Sequence, residues 1–341
     1  MMRIGITYII LIIVLILAIL LSVSFGSVNI DIRLVWQVVF SKFFEIGIDI
    51  DNNNIETIIW FHRFPRALLS CIVGMGLALI GVVLQATVKN PLADPQLLGV
   101  SSGASAGAVL SIITGSTSFI GINSTTFFAF IGGLLSFYSV LMIANYKGKL
   151  TPLRLVLAGV ALSYFCSSVT SFLTLQSRDI GEIKSIQFWL LGGLSGAEWS
   201  QVAIASIVVF SVTIVFLVLS RYLNVMTLGD DTAKTLGVNI TVIRRLNIIL
   251  CAFVIAVIVS ISGTIGFVGL VIPHTVRIIW GANHQTVLPI SVLVGGIFLI
   301  LCDLLSRIVL APEELPIGII TALIGAPFFI WLMLRNQNNL S

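Results

Sequence analysis

The sequence predicts an all-α, polytopic membrane protein of about ten transmembrane helices. Three observations predict it. Hydrophobic residues make up 58% of the chain and charged residues 9%, with a mean hydropathy of +1.13, outside the range of soluble globular proteins. The apolar residues fall in windows of about twenty, the length that crosses a bilayer as a helix. The basic residues sit in short polar breaks between those windows, so the net charge of +4 and the pI near 9.0 describe topology and not a nucleic-acid surface.

In order, the windows centre on residues 5–25, 66–86, 98–114, 125–145, 152–175, 200–219, 246–262, 265–280, 287–304 and 316–334, all within one membrane domain covering 1–341. The first run is longer than a signal-peptide core and has no A-x-A cleavage site, so it reads as a helix. The eighth is interrupted by Gly266, Gly269 and Pro273, which is tolerated at membrane depth where protein surrounds the break. With the amino terminus in the cytoplasm, the inner loops carry Lys89, Lys147, Lys149, Arg154, Arg221, Lys234, Arg244, Arg245, Arg277 and Arg335. The outer segment 25–60 then holds the acids Asp31, Glu45, Asp49, Asp51 and Glu56, and an even number of spans returns the carboxyl terminus to the cytoplasm. The inner loop 221–245 is long enough for one or two short helices, with Gly229 and Gly237 as breaks and Asp230 and Asp231 near a helix start. Residues 189–199 (WLLGGLSGAEW) read as an interfacial turn on the outer side, because indole rings favour the headgroup level.

The densest signal is residues 63–107. Arg63 and Arg66 flank Pro65; a span with Gly74, Gly76 and Gly81 follows and ends at Gln85. The polar break 89–95 carries Asn90, Pro91 and Pro95, and Gly99, Gly103 and Gly107 lie four apart on one face of the next span. Small residues at such spacing let membrane helices approach closely. Cys71, Cys166, Cys251 and Cys302 each sit alone in an apolar run and read as small core residues. His62, His274 and His284 lack metal-ligand spacing, so neither a metal site nor a catalytic group is expected. On the parity above, Arg63, Arg66 and Arg307 fall at outer helix ends, either as snorkelling anchors or as a surface for acidic groups; Asp303 lies one turn from Arg307 and can pair with it.

Residues 63–107 resemble the signature of the FecCD-type permeases, the membrane subunits of ABC importers for iron siderophores, haem and cobalamin. The likeness recurs at 228–238 (LGDDTAKTLGV), 263–277 (GTIGFVGLVIPHTVR) and 314–329 (ELPIGIITALIGAPFF), so it covers nearly the whole chain. It implies that Arg63, Arg66 and Arg307 meet glutamates of an extracytoplasmic substrate-binding protein. It also implies that Leu228, Gly229, Asp230, Ala233, Leu236 and Gly237 form the element that couples to an ATPase. Asp230 stands where the family commonly has an acidic residue. The implied assembly is two permease subunits, the same or related chains, with two copies of an ATPase that bind the ATP and magnesium, in the bacterial cytoplasmic membrane. The cargo class is an iron chelate, siderophores first, with haem or cobalamin as alternatives.

The energy source fits that resemblance. No G-x-x-x-x-G-K-[ST] sequence occurs, and Asp303 is the one carboxylate well inside a window, which leaves little for proton or sodium coupling. A secondary transporter or channel, and a non-transporting scaffold, are the alternatives; uptake independent of ATP hydrolysis would mark the first. Gln85, Asn90, Ser163, Ser167 and Thr170 are the candidates for lining a path between subunits, since the fifth window is richer in hydroxyls than its neighbours. The competing role for those hydroxyls is hydrogen bonding between helices of one subunit.

Overall fold

The computed structural model of the protein describes residues 2–44, 53–115, 118–119, 122–146, 151–177 and 179–337. Glu45, Asp49, Asp51, Lys147 and Lys149, which entered the topology argument, lie outside the described residues. The chain is helical almost throughout: α1 (Met2–Ser24), α2 (Ile32–Phe44), α3 (Asn53–Thr57), α4 (Phe64–Val88), α5 (Val100–Ile113), α6 (Ser124–Ala144), α7 (Pro152–Gln176), α8 (Ile180–Leu191), α9 (Trp199–Thr227), α10 (Asp230–Thr235), α11 (Ile240–Ser262), α12 (Val268–Trp280), α13 (His284–Ile308) and α14 (Ile317–Gln337). Among the described residues the strand content is a two-residue antiparallel pairing, Ser118–Phe119 with Ile122–Asn123.

Among the described residues, 7 helical stretches are long and apolar enough to span a membrane. Windows three and eight hold shorter helices, α5 of 14 residues and α12 of 13. At 1.5 Å per residue each covers roughly 20 Å of a core about 30 Å thick. The reason is local in both. Pro95–Leu98 forms a tight 3-10 turn ahead of α5, and residues 263–267 stay unwound ahead of α12, ending in Phe267 at φ 68°. Six of the 13 residues of α12 are buried, Val268, Gly269, Val271, Ile272, Pro273 and Val276, so its first half packs inside the bundle with Pro273 within the helix.

The bundle is built around α4. Nearly every residue from Phe64 to Thr87 is buried, and the helix touches α1, α9, α11, α12 and α13. Lipid gives apolar surfaces no drive to associate, so close packing must come from small residues. Two approaches show this directly. A Cβ on Gly74 would lie 2.3 Å from the Gly295 carbonyl oxygen on α13, and one on Gly81 would lie 2.0 Å from that of Gly269 on α12. The stripe on α5 behaves likewise, with Gly103 and Gly107 set against α6, while Gly99 caps the helix at φ 71°.

The described residues of segment 25–60 are largely helical. Val35, Val38 and Val39 of α2 close a satellite core with Val23, Ile59, Phe64 and Ala67, and a π-helical turn, Ile58–Arg63, leads into α4. Residues 189–199 are only partly a turn, because α8 runs through Leu191. Trp199 is packed, not displayed: its ring centroid lies 5.2 Å from that of Trp60 and 5.6 Å from that of Phe64, and its indole N–H donates to the Trp60 carbonyl at 3.0 Å. All four cysteines are buried free thiols.

Candidate functional site

At one end of the bundle, three arginines converge with two carboxylates. Arg63 closes the π-helical turn, Arg66 follows one turn later on α4, and Asp303 and Arg307 stand one turn apart on α13. The guanidinium groups are not displayed on the surface. Arg63, Arg66 and Arg307 are 6%, 7% and 3% exposed, and Asp303 is 0% exposed. Arg66 Nε donates to Asp303 Oδ1 at 2.8 Å, and its Nη1 donates to Glu314 Oε2 at 2.7 Å. Arg307 Nη2 lies 3.1 Å from Asp303 Oδ2, without the alignment of a hydrogen bond. It donates instead to Ser22 Oγ at 2.8 Å and the Ser22 carbonyl at 3.1 Å, while Nη1 reaches the Phe25 carbonyl at 3.0 Å. The Asp303–Arg307 pair is as the sequence predicts; the larger share of Asp303 taken by Arg66 is new.

Arg63 differs from the other two. Its hydrogen bonds run to the carbonyls of Val23, Ser24 and Val28, and among the described residues no carboxylate pairs with it. A carbonyl satisfies a donor without cancelling its charge. The cluster therefore sets three cations against two anions, with the surplus nearest Arg63. A cavity of about 250 Å³ opens here, lined by His62, Arg63, Arg66, Ser195, Arg307 and Glu314. Glu314, the head of the fourth motif, was given no role by sequence reasoning; the signal that marked it was its place with Glu313 between Pro312 and Pro316, in the break before the last apolar window.

At the opposite end, α9 runs out at Thr227 and the chain turns through Leu228 and Gly229 (φ 115°) into α10, then through Leu236 and Gly237 (φ 77°) towards α11. This is the short-helix loop the sequence predicts. Ala233 is buried with Met226 and Ile240 in a small cluster. Leu228 and Leu236 flank it at 63% and 59% exposed, and Asp231 is 99% exposed beside Lys234. Asp230 faces the protein. Its carboxylate accepts two bonds from Arg244 Nη2 at 3.0 Å and one from Lys89 Nζ at 2.5 Å. Hydrogen bonding from Lys89 does most to hold its carboxyl below the usual carboxylate range; burial opposes it, and the hydrogen bond and charge of Arg244 add to the lowering. A depressed carboxylate pKa stabilises the fold above the unfolded value of about 4, and that contribution is lost as pH falls through the depressed value.

The path candidates are scattered. Gln85 is buried and its Nε2 donates to the Gly269 carbonyl at 3.1 Å, so it braces α4 against α12. Thr170 is buried and donates back to the Cys166 carbonyl at 2.9 Å. Ser163 is half-buried and accepts from Ser102 of α5 at 3.3 Å. Ser167 lies on the exposed face of α7 with Tyr164, Ser168 and Ser171. Asn90 is exposed in the turn after α4, where its Oδ1 accepts the Leu92 N–H at 2.9 Å. Of the histidines, His62 lines the arginine cavity and His284 is tied through Nδ1 and its backbone N–H to Asn224 Oδ1. Among the described residues no group of three or more His, Cys, Asp or Glu is placed to hold a metal ion.

A bundle of long apolar helices round a buried central one, with its charge gathered at the two ends, defines a multi-pass membrane protein. The FecCD transport family model matches residues 14–335, and the chain belongs to that family. It is 42% identical over 278 residues to the cobalamin import system permease protein BtuC of Halobacterium salinarum, covering 82% of this chain and 73% of that one. It is 35% identical over 334 residues to the hemin transport system permease protein HmuU of Yersinia pestis, covering 97% and 96%. Among solved structures, a metal-chelate type ABC transporter in an inward-facing conformation superposes with a TM-score of 0.81 at 34% identity, covering 95% of this chain and 97% of that one. The chain is thus a permease subunit of an ABC importer, working with a partner permease and an ATPase, and is not itself the catalytic subunit.

Proposed function

We propose that this permease passes a large metal chelate, an iron siderophore first, into the cytoplasm of a bacterial cell, receiving it from an extracytoplasmic binding protein and using ATP and magnesium bound by two copies of the ATPase. The observation that carries the reading is the pair of ends borne by α4. One end meets the arginine cavity, which suits an acidic group arriving from outside; the other meets α10, whose exposed leucines suit a soluble partner. On this reading both termini are cytoplasmic, and the exposed hydroxyls of α7, Ser167 among them, line a path between two permease subunits. Asp303 is paired with two arginines and offers no free carboxylate for ion coupling. The test is reconstitution of permease, ATPase and binding protein in vesicles, with a ferric siderophore, haemin and cyanocobalamin supplied in parallel. ATP-dependent accumulation of the siderophore is expected; accumulation of only haemin or cobalamin would reassign the cargo, and accumulation without the ATPase would overturn the function.

The unbalanced charge at Arg63 makes the docking step specific. Arg63→Glu is expected to weaken binding-protein affinity on the order of tenfold at low salt, mainly through slower association. The difference should narrow as added salt shortens the screening length. Equal affinity of variant and wild type at low salt, measured on permease in nanodiscs, would remove Arg63 from the docking surface.

A further inference from the structure

We propose that the Asp230–Lys89 ion pair is the link through which movement of α10 reaches the turn that ends α4, with Arg244 as the positioning residue that aims the carboxylate. The proposal rests on the reading of α10 as the ATPase contact.

Among the described residues, the buried apolar packing of α10 is with its chain neighbours: Ala233 meets Met226 at the end of α9 and Ile240 at the start of α11. Asp230 is the side chain that reaches a different span, 141 residues away in sequence. Arg244 is 8% exposed in its side chain and holds both carboxylate oxygens at 3.0 Å, so the carboxylate has a fixed direction when Lys89 meets it at 2.5 Å. Charge-assisted bonds of this kind are the directional ones.

Lys89 is built to pass a displacement on. It caps α4 in the left-handed region at φ 56°, a conformation a residue with a side chain keeps only where its surroundings impose it. Its N–H and that of Asn90 both donate to the Gln85 carbonyl, and Asn90 in turn holds the N–H groups of Leu92 and Ala93. Residues 89–93 are therefore cross-braced and move as one body. The far end of α4 is anchored by Arg66 to Asp303 and Glu314, so a pull at Lys89 is taken up in the turn and not by sliding of the helix. Pro91 and Leu92 of that turn are exposed.

Leu92→Cys gives a reporter independent of the cargo, because every native cysteine is buried. In the assembled permease–ATPase complex in nanodiscs, its labelling rate by a polar maleimide is expected to differ by about fivefold or more between nucleotide-free and vanadate-trapped states. Lys89→Gln should reduce that difference to under about twofold, with the ATPase still bound and hydrolysing ATP. Lys89→Arg, which keeps the charge, should restore most of it. A full nucleotide response in Lys89→Gln, or none in the unmutated pair, overturns the proposal. Failure of the underlying reading shows differently, as an ATPase that stays attached when Leu228 and Leu236 are both replaced.

Discussion

Replacing Asp303 with alanine is expected to cost the bundle about 3–5 kcal/mol, the scale for removing one partner of a buried ion pair. Asp303 is completely buried and faces two guanidinium groups, Arg66 at 2.8 Å and Arg307 at 3.1 Å. Without it, Arg66 keeps Glu314, and Arg307 keeps uncharged oxygens from Ser22, Phe25 and the backbone carbonyl of residue 303, so two cations face each other with one carboxylate between them. The loss falls where α1, α4 and α13 meet, and it should appear as earlier unfolding when detergent-solubilised protein is titrated with a denaturing detergent. Glu314→Gln is the internal comparison. Its side chain is 29% exposed, water screens its pairing, and its loss should cost less than about 1 kcal/mol. If both variants unfold alongside wild type, the carboxylates do not hold this end together. If Glu314→Gln is the more damaging, Arg66 depends on the rim and not on the interior.

What the sequence made legible was whatever rests on local repetition. Apolar windows, glycines four apart and the breaks at Gly229 and Gly237 each leave a short-range pattern, and each became a helix, a close helix contact or a turn. Two elements escaped because their patterns are weak. In α2, Arg33, Gln37, Ser41 and Lys42 interrupt the apolar residues, and α8 carries Glu182 and Lys184 within 12 residues, so neither resembles a span. The charged contacts were illegible for a different reason. Arg66 and Asp303 are 237 residues apart, Arg66 and Glu314 are 248, and no periodicity reports a pairing decided by how α4 lies against α13. The same applies to Asp230: its position in a recognised motif was visible, but its direction, inward to Lys89 and Arg244, was set by the end of α4. Gln85 and Thr170 show the converse. Polarity in a span suggested a lining role, yet the structure gives Gln85 to a carbonyl of α12 and Thr170 to its own helix.

Replacing Leu228 and Leu236 together with aspartate is expected to detach the ATPase. Both side chains are more than half exposed, on either side of a helix whose one buried side chain is Ala233. Leucines left in water at the polar end of a membrane protein leave a favourable burial unmade, about 1.5–3 kcal/mol for each. A partner that covers both gains that much, and two carboxylates in their place add desolvation to the loss. The fall in affinity is then on the order of a hundredfold or more, read as ATPase binding to permease in nanodiscs. Uptake should vanish with it, and the fold should survive because neither side chain is part of the core. Lys89→Gln supplies the contrast, since it is expected to keep ATPase affinity while the turn stops responding to nucleotide. An aspartate pair that binds the ATPase within about threefold of wild type, less than 1 kcal/mol, would place the contact elsewhere on the chain.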